Sequence, residues 1–161
     1  MSEVLLHIRG SQVQDGVSDE VELTTKGWLR FEGETAVLGY DDSEDAAEDT
    51  QTVIRVRGGV ITMQKTGKLE TQFIFERGKD FITEYKTPFG TLGVTLYPTL
   101  VDAKMGEQQG RIELEYVLDI AGVQVVNRLN LHYTAPAGDG PAGRKERRKD
   151  DEDTMDRTFV L

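Results

Sequence analysis

The stretch Arg111-Ile112-Glu113-Leu114-Glu115-Tyr116-Val117-Leu118-Asp119 decides the fold, because apolar residues alternate with charged ones along it. The apolar residues at even positions share one face of an extended chain, and the charged residues lie on the other. This period of two is typical of a β-strand with one buried face and one solvated face. The stretch therefore predicts a half-buried strand.

A second alternating stretch follows at once, from Val123 to Tyr133, after the short connection Ala121-Gly122. Two alternating strands joined by a tight turn that contains glycine form an antiparallel hairpin. The C-terminal part of the fold is therefore predicted to be such a hairpin.

The N-terminal part shows the same pattern of short strands separated by glycine turns. The predicted strands are Val4–Arg9, Glu20–Phe31 with a bulge or bend at Gly27, Thr35–Tyr40, Gln51–Arg57, Val60–Lys65, Leu69–Glu76, Phe81–Thr87 and Thr91–Tyr97. Two further hairpins are expected, through Gly58-Gly59 and through residues 77–80. No helical period extends over a dozen residues, so the fold class is all-β.

Roughly ten sequential antiparallel strands fit an up-and-down barrel or a sandwich. The barrel is favoured because hairpin follows hairpin and because closing the sheet removes its edges. Closure makes the first and last strands neighbours, which brings His7 close to His132 at an outward-facing seam. The two histidines are then ordinary surface residues, a weak two-histidine metal contact or a pH-dependent seam.

Composition restricts the class of protein. The chain has 161 residues, no cysteine and a net charge of −10. The acidic balance argues against nucleic acid or an anionic membrane as a partner. No apolar run reaches the length of a membrane helix, and the N-terminus lacks a signal-peptide pattern, so a cytoplasmic location is expected.

One folded domain is predicted over residues 1–134, followed by a disordered charged tail over residues 135–161. The tail begins with a linker rich in glycine, proline and alanine, and then carries the basic run Arg144–Lys149 and the acidic run Asp150–Asp153. Such composition buries too little apolar surface to order itself. A separate acidic loop, Asp41–Asp49, connects two strands.

No motif supports an enzyme or a resident cofactor. None of the serines lies in a Gly-x-Ser-x-Gly turn. The acidic loop lacks the glycine and glutamate of an EF-hand, so no metal site is predicted. The sequence therefore indicates a protein that is not an enzyme and that needs no cofactor.

The predicted barrel interior is apolar with a few polar groups, which is the composition of a small-molecule pocket as well as of a filled core. Lys65, Tyr85 and Asn127 are the strongest hydrogen-bonding groups on the inward faces and are the predicted ligand contacts. Lys65 is expected at the rim, with a hydrated ammonium that meets an anionic head group. Tyr85 and Asn127 are expected deeper, where they would orient the ligand.

The middle of the chain carries a family resemblance on the run Lys65-Thr66-Gly67, on Phe73, Gly78, Tyr85-Lys86-Thr87-Pro88-Phe89-Gly90 and Thr99, and on Gly110-Arg111-Ile112 with Tyr116. These motifs resemble the YwiB-like family of small bacterial proteins of unknown function, over residues 3 to 134. The resemblance implies a calycin-like (lipocalin-type) barrel in a bacterial cytoplasm. It supplies no catalytic or binding residue.

Two functions are therefore expected. The first is binding of a small ligand inside the barrel. The alternative is a protein-interaction module that acts through the outer sheet face, the acidic loop or the charged tail.

Overall fold

A computed structural model describes residues 1–41, 50–67 and 70–136. The regular secondary structure in those ranges is entirely β-strand, as the alternation predicted. The strands are β1 (Ser2–Gln14), β2 (Val17–Glu32), β3 (Thr35–Asp41), β4 (Gln51–Arg57), β5 (Val60–Thr66), β6 (Thr71–Glu76), β7 (Phe81–Thr87), β8 (Gly90–Met105), β9 (Gln109–Ile120) and β10 (Val123–Thr134).

All ten strands form one antiparallel sheet in the order β6-β5-β4-β3-β2-β1-β10-β9-β8-β7. The first and last strands of the chain are thus neighbours, and His7 lies directly opposite His132. The predicted closure through the terminal strands is confirmed. The sheet curls into a nearly closed barrel whose two edge strands, β6 and β7, are consecutive in the chain.

The predicted β6–β7 hairpin is only partly correct. Its turn exists, since the Lys79 amide donates to the Glu76 carbonyl at 3.0 Å. Between the described parts of the two strands, however, the only further pairing is a bridge from Glu70 to Lys86. We call this interrupted junction the β6–β7 seam.

The bulge predicted at Gly27 is wrong. β2 continues without a register shift against β1 and β3, with Gly27 opposite Val4 on one side and Tyr40 on the other. Glycine is required here for space: a Cβ at Gly27 would lie 2.4 Å from the Gly39 carbonyl oxygen. Close approach of the neighbouring chain, rather than bending, explains this residue.

The strand predicted to end at Tyr97 continues instead to Met105. A bulge between Pro98 and Leu100 interrupts its register with β9, and the Thr99 hydroxyl donates to the Glu115 carbonyl at 2.9 Å. Proline has no amide hydrogen for a ladder, so it is accommodated at a bulge.

Inward side chains from every strand form one core, which buries Leu6, Leu38, Ile54, Ile61, Met63, Phe73, Phe75, Leu96, Ile112, Leu114 and Tyr116 almost completely. Leu92, near the start of β8, is 44% exposed. The alternation of β9 and β10 matches the burial pattern as predicted.

Most of the acidic loop (residues 42–49) and the tail from residue 137 lie outside the described residues, so their predicted roles stay predictions. Within the described ranges, no helix has the length and apolar character needed to cross a membrane.

Candidate functional site

The three residues predicted as ligand contacts all face the barrel interior. Lys65 lies on β5, Tyr85 on β7 and Asn127 on β10, and all three are buried. The up-and-down topology puts them in the same half of the barrel, nearest the end that carries the β7–β8 and β9–β10 turns. Their role as ligand contacts remains a prediction.

Lys65 is more buried than predicted. Only 4% of its surface is exposed, and its Nζ donates to the Thr52 Oγ1 at 2.8 Å. Its neighbours on the adjacent strands, Thr52 and Thr71, are also buried. The side chain of Lys65 points inward and is therefore buried, even though the residue lies near the end of β5 as expected. The expected hydration of its ammonium is thus wrong. An ammonium held away from water is costly unless polar groups surround it.

Tyr85 forms part of the aromatic layer at the seam. Its ring stacks on Phe73 with the ring centroids 6.0 Å apart and the planes at 21°. Burial raises the pKa of Tyr85 well above its ordinary value of 10.0, so the phenol stays neutral at physiological pH. A neutral phenol can both donate and accept a hydrogen bond.

Of the two polar atoms of the Asn127 side-chain amide, the nitrogen has a hydrogen-bond partner in the part of the chain that the structure describes and the oxygen does not. Its Nδ2 donates to the Val125 carbonyl at 3.1 Å, which fixes the orientation of the group. Its Oδ1 is buried and has no hydrogen-bond partner among the described residues. Asn127 thus presents an acceptor to the interior.

Tyr116, directly opposite Asn127 on β9, is the polar group that sequence reasoning missed. Its hydroxyl is also buried without a partner among the described residues. Burial is the main factor that raises its pKa well above 10.0, and the phenols of Tyr85 and Tyr40 add to the effect. The β9 alternation pointed Tyr116 inward, but the pattern counts its ring as apolar and takes no account of its hydroxyl.

The remainder of the interior around these groups is aromatic and aliphatic. The Tyr116 ring meets Phe75 edge to face, with centroids 4.9 Å apart, and Phe73 lies 6.5 Å away. Two unpartnered polar atoms in such surroundings are unusual, because nearly all buried polar groups in proteins are hydrogen-bonded.

An open groove of about 700 Å³ lies on the outside of the β6–β7 seam. Lys65, Thr71 and Thr83 line this groove, and all three belong to inward-facing positions of their strands. At the seam, therefore, polar residues that face the barrel interior also line a groove on the barrel surface.

The two histidines lie outside the interior. The His7 Nε2 lies 2.9 Å from the Glu22 carboxylate, and its Nδ1 lies 3.0 Å from the Thr24 hydroxyl. No group of three or more His, Cys, Asp or Glu side chains among the described residues has the arrangement of a metal site.

Residues 6–132 match the family model described as "Domain of unknown function (DUF1934)". The chain belongs to this family. It is also 23% identical over 121 residues to the "Uncharacterized beta-barrel protein YwiB" of Bacillus subtilis (strain 168), covering 75% of this chain and 84% of that protein. The resemblance seen in the motifs is therefore confirmed as family membership.

The fold agrees with a solved structure. The crystal structure of the ywiB protein from Bacillus subtilis superimposes with a TM-score of 0.76 at 20% identity, covering 84% of this chain and 93% of that one. At this level of identity the match supports the barrel architecture. It assigns no activity, ligand or partner to the DUF1934 chain.

Proposed function

We propose that this DUF1934 protein is a non-enzymatic barrel that binds a small molecule in its interior. The observation that carries the proposal is the pair of unpartnered polar atoms, the Tyr116 hydroxyl and the Asn127 Oδ1. Each such atom costs about 1–3 kcal/mol in a folded protein when nothing bonds to it. A guest molecule that supplies the missing hydrogen bonds would recover that free energy.

The chemistry of the two atoms restricts the guest. Because the Asn127 amide nitrogen is engaged by the Val125 carbonyl, Oδ1 requires a donor. The raised pKa of Tyr116 keeps its hydroxyl neutral, so it offers its proton to an acceptor. A mainly apolar molecule with a hydroxyl or amide group fits both requirements, and the aromatic walls fit its apolar part. Lys65 is the predicted contact for a more polar or anionic end.

The β6–β7 seam is the proposed route into the barrel. Other neighbouring strands are joined by hydrogen-bonded ladders, with one bulge between β8 and β9, whereas this junction has a bridge at one end and a turn at the other. Between them the stack of Phe73 on Tyr85 fills the gap. An aromatic pair is worth about 0.5–1.5 kcal/mol beyond its area burial, so this junction is the least costly one to open.

The absence of a catalytic function is part of the proposal. It rests on the lack of a serine-containing nucleophile turn and of a cysteine in the sequence. We propose a cytoplasmic setting on the cysteine-free composition and on the family resemblance.

Native mass spectrometry of freshly purified protein tests the ligand directly. We expect a retained small molecule on the wild-type chain, and about tenfold less of it on Tyr116→Phe, since about 1.4 kcal/mol is lost with one hydrogen bond. Tyr97→Phe is the matched control, because Tyr97 lies on the outer surface. The bare chain mass in every wild-type preparation would overturn the proposal.

Asn127→Leu provides a second variant, with Asn130→Leu as its control on the solvated face of the same strand. This substitution also removes the hydrogen bond to Val125, so some stability is lost along with the ligand. A thermal unfolding scan of each variant separates loss of ligand from loss of fold.

The alternative function, a protein-interaction module, is favoured by one observation. The β7–β8 hairpin exposes two large apolar side chains, Ile82 at 77% and Phe89 at 98%. Exposed apolar groups of this size often mark a contact surface. Retention of a protein rather than a small molecule in the same spectra, abolished by Ile82→Ser, would favour this function over ligand binding.

A further inference from the structure

A row of basic side chains crosses the outer face of the barrel over four neighbouring strands. The strand register sets Lys104 of β8 opposite Arg111 of β9, Arg111 opposite His132 of β10, and His132 opposite His7 of β1. Side chains directly opposite each other on one face have Cβ atoms about 4.5–5.5 Å apart, and like charges at that separation are destabilising. Such a row is unexpected on a chain with a net charge of −10.

A groove of about 550 Å³ lies at the β8–β9 end of this row. Its lining contains three basic residues, Lys104, Arg111 and His132, together with Met105, Gly106, Gln109 and Gly110. The three basic groups lie at directly opposed positions on adjacent strands, so they share this one groove. We call it the basic groove.

The backbone beneath the basic groove is held firmly. The Tyr133 hydroxyl donates to the Gly106 carbonyl at 2.6 Å, and the Gly106 amide donates to the Gln109 carbonyl at 3.1 Å. Gly110 is required because a Cβ there would lie 2.4 Å from the Tyr133 hydroxyl oxygen. The groove is thus built before any ligand arrives, which lowers the cost of binding.

Most of the basic groups in the groove have no acidic partner. Lys104 and His132 form no ion pair or side-chain hydrogen bond within the described part of the chain. Arg111 reaches the Asp102 carboxylate at 3.4 Å, and both side chains are over a third exposed. An exposed pair of this kind contributes little and leaves most guanidinium donors available.

We propose that the basic groove binds a phosphate group, either free phosphate or a phosphate monoester on a small molecule. A guanidinium engages two phosphate oxygens at once, an ammonium adds a point charge, and an imidazole adds a further donor. A phosphate has enough oxygens for all three, whereas a carboxylate has two. Because the site lies on the outer face, it is separate from the proposed interior ligand.

Titration with inorganic phosphate tests the proposal, with the amide and imidazole NMR signals of the full chain as the readout. The ionic strength is held at about 0.15 M with chloride, so that general screening stays constant. We expect saturable shifts at Lys104, Gly110, Arg111 and His132, with a Kd on the order of 1 mM. The Lys104→Gln/Arg111→Gln variant should weaken binding at least tenfold.

Lys26→Gln/Arg128→Gln is the matched control, because it removes the same two charges from exposed positions outside the groove. Methyl phosphate distinguishes the two sources: equal binding supports a monoester, and binding of inorganic phosphate alone supports free phosphate. Shifts that rise linearly with phosphate, an equal loss in the control variant, or equally strong binding of acetate would overturn the proposal. Unchanged far-ultraviolet circular dichroism shows that each variant is folded.

Discussion

Tyr116→Phe provides a sharp test of the interior, because it removes one oxygen atom and leaves the ring in place. The ring keeps its edge-to-face contact with Phe75 at 4.9 Å. If the hydroxyl has no partner in the ligand-free protein, its desolvation is an uncompensated cost of about 1–3 kcal/mol. We therefore expect the variant to be more stable than the wild type, against the usual direction of a core substitution.

The gain should be about 1–2 kcal/mol in the free energy of unfolding, because the lost oxygen leaves only a small void. A gain of 1 kcal/mol raises Tm by roughly 2–8 °C in domains of this general size. The assay is urea unfolding of protein that has been stripped of ligand by unfolding and refolding. The slope m should not change, because both proteins expose nearly the same surface.

The control is Tyr97→Phe, which removes the same atom from an exposed position and should change stability by less than about 0.5 kcal/mol. A loss of about 1 kcal/mol or more in Tyr116→Phe would refute the reasoning. It would mean that the hydroxyl already has a partner, such as a buried water molecule, in the ligand-free protein.

Three further perturbations test the fold and its interior. Gly27→Ala should lower stability by about 1–3 kcal/mol, because its Cβ meets backbone, while Gly93→Ala, with open space around it, should be nearly neutral in the same urea assay. Burial raises the pKa values of Tyr85 and Tyr116 above 10.0, so their contribution to stability should be complete below pH 10 and fall as the pH rises further, when the unfolded chain ionises first. Urea unfolding at pH 9, 10 and 11 measures that loss, and constant stability over this range would contradict it. Amide hydrogens of β6 and β7 should exchange faster than those of β1 and β10, since the seam lacks a continuous ladder, and equal protection would contradict the interrupted seam.

The alternation of apolar and polar residues predicted the strands well wherever one face of the strand is buried and the other is solvated. β9 and β10 follow the alternation residue by residue, and the closure of β1 onto β10 follows from the sequential hairpins. The predicted β8 was too short because a proline such as Pro98 usually ends a strand. The pairing with β9 shows that the strand continues past Pro98 through a bulge.

Other features could not be read from local sequence, because they depend on distant parts of the chain. The turn at residues 77–80 was predicted correctly, but local sequence does not show whether β6 and β7 pair beyond it. Gly27 could be interpreted only once Gly39 on the neighbouring strand was known to approach it. Lys65 was expected to reach water because it lies near the end of its strand, but its side chain is buried between Thr52 and Thr71 of the neighbouring strands.

The period of two that determines the fold also explains how one barrel can carry two separate candidate sites. On β9 and β10, Tyr116 and Asn127 point inward, while Arg111 and His132 point outward from the same two strands. The interior groups are neutral and lie among aromatic rings, where a charged group would be costly. The outer groups are a guanidinium and an imidazole, and both keep contact with water. Each of these strands therefore carries neutral groups on its inner face and basic groups on its outer face. A substitution on one face leaves the hydrogen-bond donors of the other face unchanged.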